Sequence, residues 1–383
     1  MKNQGYKMKI LYVGVYRDGT GYGQAAEDYI LALDAAGIDV VCRPLKLNSY
    51  DYKPHPRVLE LEAKSSRDCN IIIQHVLPTY MEYNSNFDLN IGLFAYETTN
   101  FRMSGWQNNL NLMDLNIVIN KQMIDACKNS GVKTPLHVVP HATDFSKFLD
   151  QYEKLDIIKS NVDDDCFIFY TIGETTKRKN LTSLLKAYFC EFLYSENVCL
   201  VIKTNKSDVD MNDFAQKIAE SLNIKKHPKV ITITDRLSNN AINKLHATCN
   251  AFVQSSYGEA WGIPAFEAMA FGKTPIVTKC TGYLEYIDES VGWLVDCIEE
   301  PVFAGEKNKF SLYSGNENWF SINILDLRKK MRECYEMEGL RRSKAANALD
   351  RAYEFSHEKV GAIFLKVLQN ATKEKKTELV GRS

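Results

Sequence analysis

The sequence predicts an α/β protein built from two doubly wound domains. Three observations carry this. At 383 residues the chain is too long for one ordinary core. Short apolar runs rich in β-branched residues alternate with stretches of helical period, the signature of parallel sheets covered on both faces. The alternation halts at a polar, acidic stretch, FLDQYEKLDIIKSNVDDD (148–165), and then restarts.

The elements follow in order. MKILYVGVY (8–16) is a bounded apolar run and reads as the first strand. GQAAEDYILALDAAG (23–37) places apolar residues at helical spacing and closes on Gly37. IDVVCRPL (38–45), NIIIQHV (70–76), NIGLFAY (90–96), NIVIN (116–120) and VKTPLHVVP (132–140) are further strands. After the pause, CFIFYTIG (166–173) is a strand and LTSLLKAYFCEFL (181–193) a helix. VCLVIKT (198–204), KVITIT (229–234), AFVQS (251–255) and TPIVTK (274–279) continue the series. From about 325 the chain is helical and charged, and the KEKK run (373–376) reads as a solvated tail. The expected domains are therefore 1–155 and 156–345, with a helical segment, 346–383, crossing back to the first. Ligands of such sheets bind beyond the carboxyl ends of the strands, here in a central cleft that the two domains face.

Composition narrows the class. Hydrophobic residues make up 45% and charged residues 25%, the balance of a soluble globular protein. A formal net charge of −1 gives no broad attraction to nucleic acid or anionic membrane. The ten cysteines form no C-x-x-C pair, and Cys69, Cys166, Cys199 and Cys249 lie in or beside apolar runs, so buried free thiols are expected. No apolar stretch reaches membrane-spanning length, and MKNQGYKMK has no signal-peptide core. The expected location is cytoplasmic, with peripheral membrane contact left open.

The chemistry gathers in SYGEAWGIPAFEAMAFG (256–272). Glu259 stands in the loop after a strand, and Glu267 eight positions later on the helix that follows. Pro264 suits that helix's first turn, where a missing N–H costs little. The N–H groups of Ala260, Trp261, Gly262 and Ile263 lie at the helix start, which attracts anions. Gly262 lets backbone approach a ligand closely. A phosphate at the helix start, flanked by carboxylates that accept from hydroxyls, is one way to hold a sugar nucleotide.

This segment resembles the E-x7-E signature of family 4 retaining glycosyltransferases of the GT-B fold, the glycosyl transferases group 1. Their pattern is S-x-x-E-G-x-G-L-P-x-x-E-A-M. Ser256, Glu259, Gly262, Pro264, Glu267, Ala268 and Met269 are in register; Ala260 and Ile263 depart mildly. GETTKRKNLTSLLKAYF (173–189) resembles the family segment after the second domain's first strand. Lys179 matches the lysine that contacts the donor diphosphate. Glu174 stands where an arginine is usual, and Arg178 is expected to compensate; a solvated loop is the competing reading of Lys-Arg-Lys. VVPHATD (138–144) resembles V-x-P-N-G-V-D, with His141 for Asn. DRLSNNAINKLHATCNAFVQSS (235–256) matches the segment whose loop, with Thr234, Arg236 and Leu237, borders the nucleobase. DGTGYGQ (18–24) resembles the glycine-rich loop in which Gly21 and Gly23 approach the donor. The histidine many members carry after a first-domain strand is missing from FAYETTNF (94–101). There Tyr96 and Glu97 could contact sugar or acceptor, Glu97 equally serving as a helix cap. His75 and His141 are further candidates.

The resemblance implies a GT-B fold of two Rossmann-like domains. It also implies retaining transfer of a sugar from a nucleoside diphosphate, UDP or GDP, to an acceptor hydroxyl on a glycan, lipid, protein or modified base. Lys179 and Arg178 would stabilise the leaving diphosphate, Glu259 would hold sugar hydroxyls, and Glu267 would accept from the ribose. No cofactor and no metal site are expected. Two other readings stay open: a non-catalytic sugar-nucleotide-binding module, and transfer to a hydroxymethylated DNA base.

Overall fold

The structure, a computed structural model, describes residues 8–49, 52–148, 150–205, 210–302 and 313–380. By contacts the chain divides into two units. The first comprises Met1–Asp144, Asn308–Glu317 and Glu354–Ser383; the second comprises Phe145–Lys307 and Asn318–Tyr353.

The first unit runs β1 (Lys9–Gly14), α1 (Gly21–Ala35), β2 (Asp39–Pro44), α2 (Pro56–Ala63), β3 (Ile71–His75), β4 (Leu89–Leu93), α3 (Trp106–Leu110), β5 (Leu115–Val118), α4 (Lys121–Asn129) and β6 (Leu136–Val138). Its six strands pair in the order β2-β1-β3-β4-β5-β6, all parallel. β3, β4 and β5 are buried along their whole length, which explains why they read as unbroken apolar runs and not as alternating patterns.

The second unit runs α5 (Asp156–Lys159), β7 (Phe167–Ile172), α6 (Leu181–Glu191), β8 (Val198–Lys203), α7 (Met211–Ser221), β9 (Lys229–Ile233), α8 (Asn239–Thr248), β10 (Ala251–Gln254), α9 (Ile263–Ala270), β11 (Thr274–Thr278) and β12 (Trp293–Val295). An antiparallel hairpin of β13 (Cys297–Pro301) and β14 (Asn318–Ile322) follows, then α10 (Ile324–Glu336) and α11 (Glu338–Tyr353). The parallel sheet has the order β12-β11-β10-β7-β8-β9. Its core is aromatic-rich: Phe167, Phe169, Tyr188, Phe192 and Trp293 pack between the sheet and α6, α7 and α10.

α12 (His357–Val380) belongs to the first unit and packs on α1. A Cβ on Gly361 would fall 2.2 Å from the Ala32 carbonyl oxygen, so only glycine permits this approach. Phe364 meets Tyr29 edge-on, and His357 Nε2 lies 2.9 Å from Asp28 Oδ1. Lys373–Lys375, expected in a solvated tail, are turns of this helix, and Lys375 Nζ reaches Asp114 Oδ1 at 2.5 Å.

The division between Asp144 and Phe145 falls about ten residues before the expected 155/156. Phe148 and Tyr152 pack their rings on Phe271, and Asn243 donates to Tyr152 Oη, which fixes this stretch to the second unit. All ten cysteines are free thiols; Cys166, Cys199 and Cys249 are buried and Cys69 is half-buried.

Candidate functional site

In an open parallel sheet, a crevice opens where the strand order reverses, between two loops that leave for opposite faces. In the second unit that point lies between β7 and β10. The loop after β7 carries Arg178 and Lys179; the loop after β10 carries Ser256 and Glu259. The two loops are stitched together: Ser255 Oγ donates to the Asn180 carbonyl at 2.7 Å, and the Tyr257 N–H to the Arg178 carbonyl at 2.8 Å.

Glu259 is the centre of this crevice. Lys179 Nζ and Ser256 Oγ donate to its Oε1 at 2.6 and 2.7 Å, and Arg178 Nη1 lies 2.9 Å from its Oε2. Arg178 Nη1 also donates to the Gly258 carbonyl at 2.7 Å. The backbone is held as firmly. The Glu259 N–H donates to Thr281 Oγ1 at 3.0 Å, and its carbonyl accepts the Gly282 N–H at 2.8 Å. Burial alone would raise the carboxyl's pKa; Arg178, Lys179 and the hydroxyl of Ser256 outweigh it and bring the group down to about 2. A buried carboxylate is thus kept charged beside two cations.

α9 begins just beyond. Its N-cap, Gly262, sits in the left-handed region at φ +85°, which a side chain would strain. Ala260, Trp261 and Ile263 lead into this turn, and Tyr286 Oη donates to the carbonyls of Trp261 and Gly262 at 2.8 and 3.2 Å. The turn therefore has its carbonyls tied from behind. Glu267 lies on the second turn of α9. Its Oε1 accepts from Lys147 Nζ at 2.8 Å, and its Oε2 stands 3.6 Å from His246 Nε2. Burial pushes this carboxyl up, but Lys147 and His246 pull it well below the usual carboxylate range. His246 is itself fully buried, which lowers its pKa and keeps it neutral despite Glu267. Tyr170 Oη lies 2.6 Å from His246 Nδ1. A proton on Nε2, facing the carboxylate, leaves Nδ1 to accept from the tyrosine.

Sequence reasoning paired the two glutamates with Lys179 and Arg178 and missed Lys147 and His246. Both are solitary residues with no spacing signal. It also missed two Asp-x-Asp triplets, 163–165 and 208–210. Asp164 pairs with Lys154, Asp165 accepts from Asn197, and Asp210 caps α7; Asp208 lies outside the described residues. Thr234 and Arg236 are exposed after β9 and Leu237 is half-buried. Nearby, Lys203 at the end of β8 is lowered to about 8, first by burial and then by Arg236. Glu174 is exposed.

The remaining candidates lie in the first unit. Gly21 and Gly23 are the opening turn of α1, not a free loop: Thr20 caps the helix, its Oγ1 accepting from the Gly23 N–H at 3.1 Å. His75 ends β3 at that sheet's own reversal, between β1 and β3. It is fully buried against Tyr12, Tyr22 and Tyr29, with Tyr12 Oη 2.6 Å from its Nδ1, and burial lowers its pKa to about 3. His141 is buried 3.7 Å from Asp28 Oδ2. Tyr96 packs on Phe101 and Trp106, and Tyr313 Oη donates to Glu97.

Comparisons with known proteins bear on this arrangement. Residues 153–309, which hold Arg178, Lys179, Glu259 and Glu267, match the model of the family Glycosyl transferases group 1. Over 149 residues the chain is 28% identical to an uncharacterized glycosyltransferase of Methanocaldococcus jannaschii. That match covers 39% of this chain and 36% of the relative, so the chain spans about a third of the curated protein it matches. Sucrose-phosphate synthase from Thermosynechococcus elongatus superposes with a TM-score of 0.67 at 15% identity, over 96% of this chain and 100% of that one. HepE from Anabaena, in complex with UDP and glucose, superposes with a TM-score of 0.64 at 14% identity, over 95% and 100%. The fold is GT-B. In this GT-B chain no described helix is long and apolar enough to cross a membrane.

Proposed function

We propose that the chain is a retaining glycosyltransferase that moves a sugar from a nucleoside diphosphate sugar, with UDP the favoured carrier, to an acceptor hydroxyl. One observation carries the reading: Arg178 and Lys179 converge on buried Glu259 where the second sheet reverses its strand order. Breaking the bond from sugar to diphosphate leaves negative charge on the phosphate oxygens. Fixed cations and a helix start aimed at that charge stabilise it more in the transition state than in the ground state. A lysine carries three N–H donors and an arginine five, so each cation can serve more than one oxygen. These two cations do the work in this reading without a metal. Glu259, held charged and immobile, accepts from the sugar hydroxyls. Glu267, on the next helix with Lys147 and His246 behind it, accepts from the ribose.

The group 1 match and the UDP-containing HepE complex support this choice of donor. The test is a panel of nucleotide sugars, UDP-glucose first, scored by calorimetry and by release of nucleoside diphosphate with chelator present. Binding and release with UDP-sugars, at a rate unchanged by chelator, is the expected result. The anomeric configuration of the product, read by NMR, should match the donor; an inverted product would overturn retention.

A further inference from the structure

Two of the ten cysteines meet behind the Glu259 loop. β11 ends at Thr278 and β12 at Val295, and these two residues are paired in the parallel ladder. Cys280 and Cys297 each stand two residues further on, so they leave adjacent strands at matching positions. Their thiols share a hydrogen bond. Cys297 Sγ also lies 3.4 Å from the carbonyl oxygen of Lys279, the neighbour of Cys280. Cys280 is buried and Cys297 half-buried. The hydrogen bond from Cys280 holds the Cys297 thiol below its ordinary range, while burial pushes Cys280 up. Thiolate is the nucleophile in thiol chemistry, so the more exposed sulfur of the pair is also the more reactive one.

Cys280 begins a segment that holds Glu259 in place. Its Sγ lies 3.9 Å from the Tyr257 carbonyl oxygen. Next to it, Thr281 Oγ1 accepts the Glu259 N–H at 3.0 Å, and the Gly282 N–H donates to the Glu259 carbonyl at 2.8 Å. Thr278 Oγ1 donates to the Ser256 carbonyl at 2.9 Å. The contact has no slack, since a Cβ on Gly282 would fall 2.1 Å from the Ala260 carbonyl oxygen. Thr281 sits at φ +47°, left-handed backbone that a β-branched residue keeps only where its surroundings enforce it. A displacement of Cys280 is therefore passed to the backbone of Glu259.

We propose that Cys280 and Cys297 are a redox-sensitive pair, and that their disulfide withdraws the backbone support of Glu259 and switches the crevice off. The oxidant is a hydroperoxide. The Cys297 thiolate sulfur attacks one peroxide oxygen and the O–O bond breaks. The departing hydroxide takes up the proton that Cys297 had given up, and Cys297 becomes a sulfenic acid. The Cys280 sulfur then attacks the Cys297 sulfur; the S–O bond breaks, and hydroxide leaves as water with the Cys280 proton. In sum two thiols lose two electrons and two protons, and hydrogen peroxide becomes two waters. The sulfurs close from a hydrogen bond to about 2 Å, which draws Cys280 toward β13. The loss of sugar transfer rests on the glycosyltransferase reading; the disulfide and its effect on the Glu259 backbone do not.

The test treats the full chain with hydrogen peroxide, alkylates the remaining thiols and maps the peptides by mass. The expected result is a Cys280–Cys297 cross-link that dithiothreitol removes. Hydrogen exchange across residues 256–262 should quicken in the oxidised chain and return on reduction. Release of UDP from a UDP-sugar should fall about tenfold or more, the scale for a misplaced catalytic contact, and recover with dithiothreitol. Cys297→Ser and Cys297→Ala should each turn over as wild type when reduced and lose both responses to peroxide. Absence of the cross-link, or a bridge to another cysteine, would overturn the pair. A cross-link that leaves exchange across 256–262 unchanged would overturn the coupling to Glu259. Peroxide inactivation that persists in both variants would place the sensitive thiol elsewhere and overturn the switch. A chain that cross-links and exchanges as expected, yet turns over no nucleotide sugar when reduced, would overturn the glycosyltransferase reading alone.

Discussion

The two parallel sheets reverse their strand order in the same way, yet the crevices at the two reversals are filled with opposite chemistry. Between β7 and β10, Arg178, Lys179 and Glu259 stand as charged groups within hydrogen-bonding distance of one another. Between β1 and β3, the strand ends are Gly14 and His75, in register, and the space behind them is packed with Tyr12, Tyr22 and Tyr29. The histidine is held neutral by burial, its pKa lowered to about 3, while the glutamate is held charged, its pKa lowered to about 2. Topology supplies a crevice in both sheets. The residues on its rim decide whether it holds charge or closes as core.

The largest effects should come from breaking the charged crevice. Lys179→Ala and Glu259→Gln should each reduce sugar transfer by about 2–4 kcal/mol, roughly 30- to 1,000-fold, the scale for losing one preorganised polar contact. Glu259→Gln should leave UDP affinity nearly intact, whereas Lys179→Ala should lower kcat more than it raises the donor KM. His75→Gln in the other crevice should leave transfer within a few-fold of wild type. Steady-state rates on the three variants decide this, and a loss in His75→Gln as large as in Lys179→Ala would erase the distinction.

Next in size are two changes on α9. Glu267→Ala should weaken UDP by about 1–3 kcal/mol through a lost charge-assisted hydrogen bond, measured by calorimetry. Gly262→Ala should destabilise the chain by about 1–3 kcal/mol, the scale for a side chain forced into left-handed backbone. The added methyl would also meet the Tyr283 ring at 2.4 Å. Urea denaturation checks this, and a stability equal to wild type would mean the turn relaxes freely.

The smallest and sharpest contrast is in pH. Glu259 titrates near 4.5 when unfolded and about 2 when folded, so its stabilisation is whole above pH 4.5 and is lost as the pH falls through 2. His75 goes from 6.5 to about 3, and the folded chain prefers its neutral form. Its contribution is whole above pH 6.5 and declines as the pH falls toward 3. Between pH 6.5 and 4.5 the first unit should therefore weaken through His75 while Glu259 contributes fully in the second. Buried His246 adds a decline of the same sign to the second unit. Hydrogen exchange read strand by strand separates them: His75→Gln should flatten the decline in β1 and β3 and leave β7 and β10 as in wild type.

The sequence made one crevice far more legible than the other, for a physical reason. Glu259 and Glu267 are fixed by a local turn, so their spacing around Gly262 and Pro264 is visible in a single stretch. Lys179 and Arg178 precede a helix of clear period, and their place after β7 follows from the strand cadence. Lys147 and His246 become Glu267's partners only through folding, 120 and 21 positions away along the chain, respectively. No periodicity marks such pairs. The glycines of 18–24 read as a loop because glycine disfavours helices, yet Thr20 caps one there and α1 begins at Gly21. The junction was displaced because Phe148 and Tyr152 are two aromatic residues in a polar stretch, and only their packing on Phe271 assigns them to the second unit.

The pairing of α12 with α1 sets an order of events during synthesis. α1 presents Tyr29, Ala32 and Leu33 as a buried stripe, and Val360, Phe364 and Leu368 belong to the helix that packs on it. The stretch between them contains the entire second unit. At ~5–20 residues per second, α1 emerges from the ribosome on the order of tens of seconds before its partner helix does. The second unit, closed by α10 and α11 at Tyr353, can complete its core while the first still lacks a wall. The half of the molecule made first is therefore the half finished last, and through that interval the stripe on α1 is the surface that a chaperone would have reason to cover.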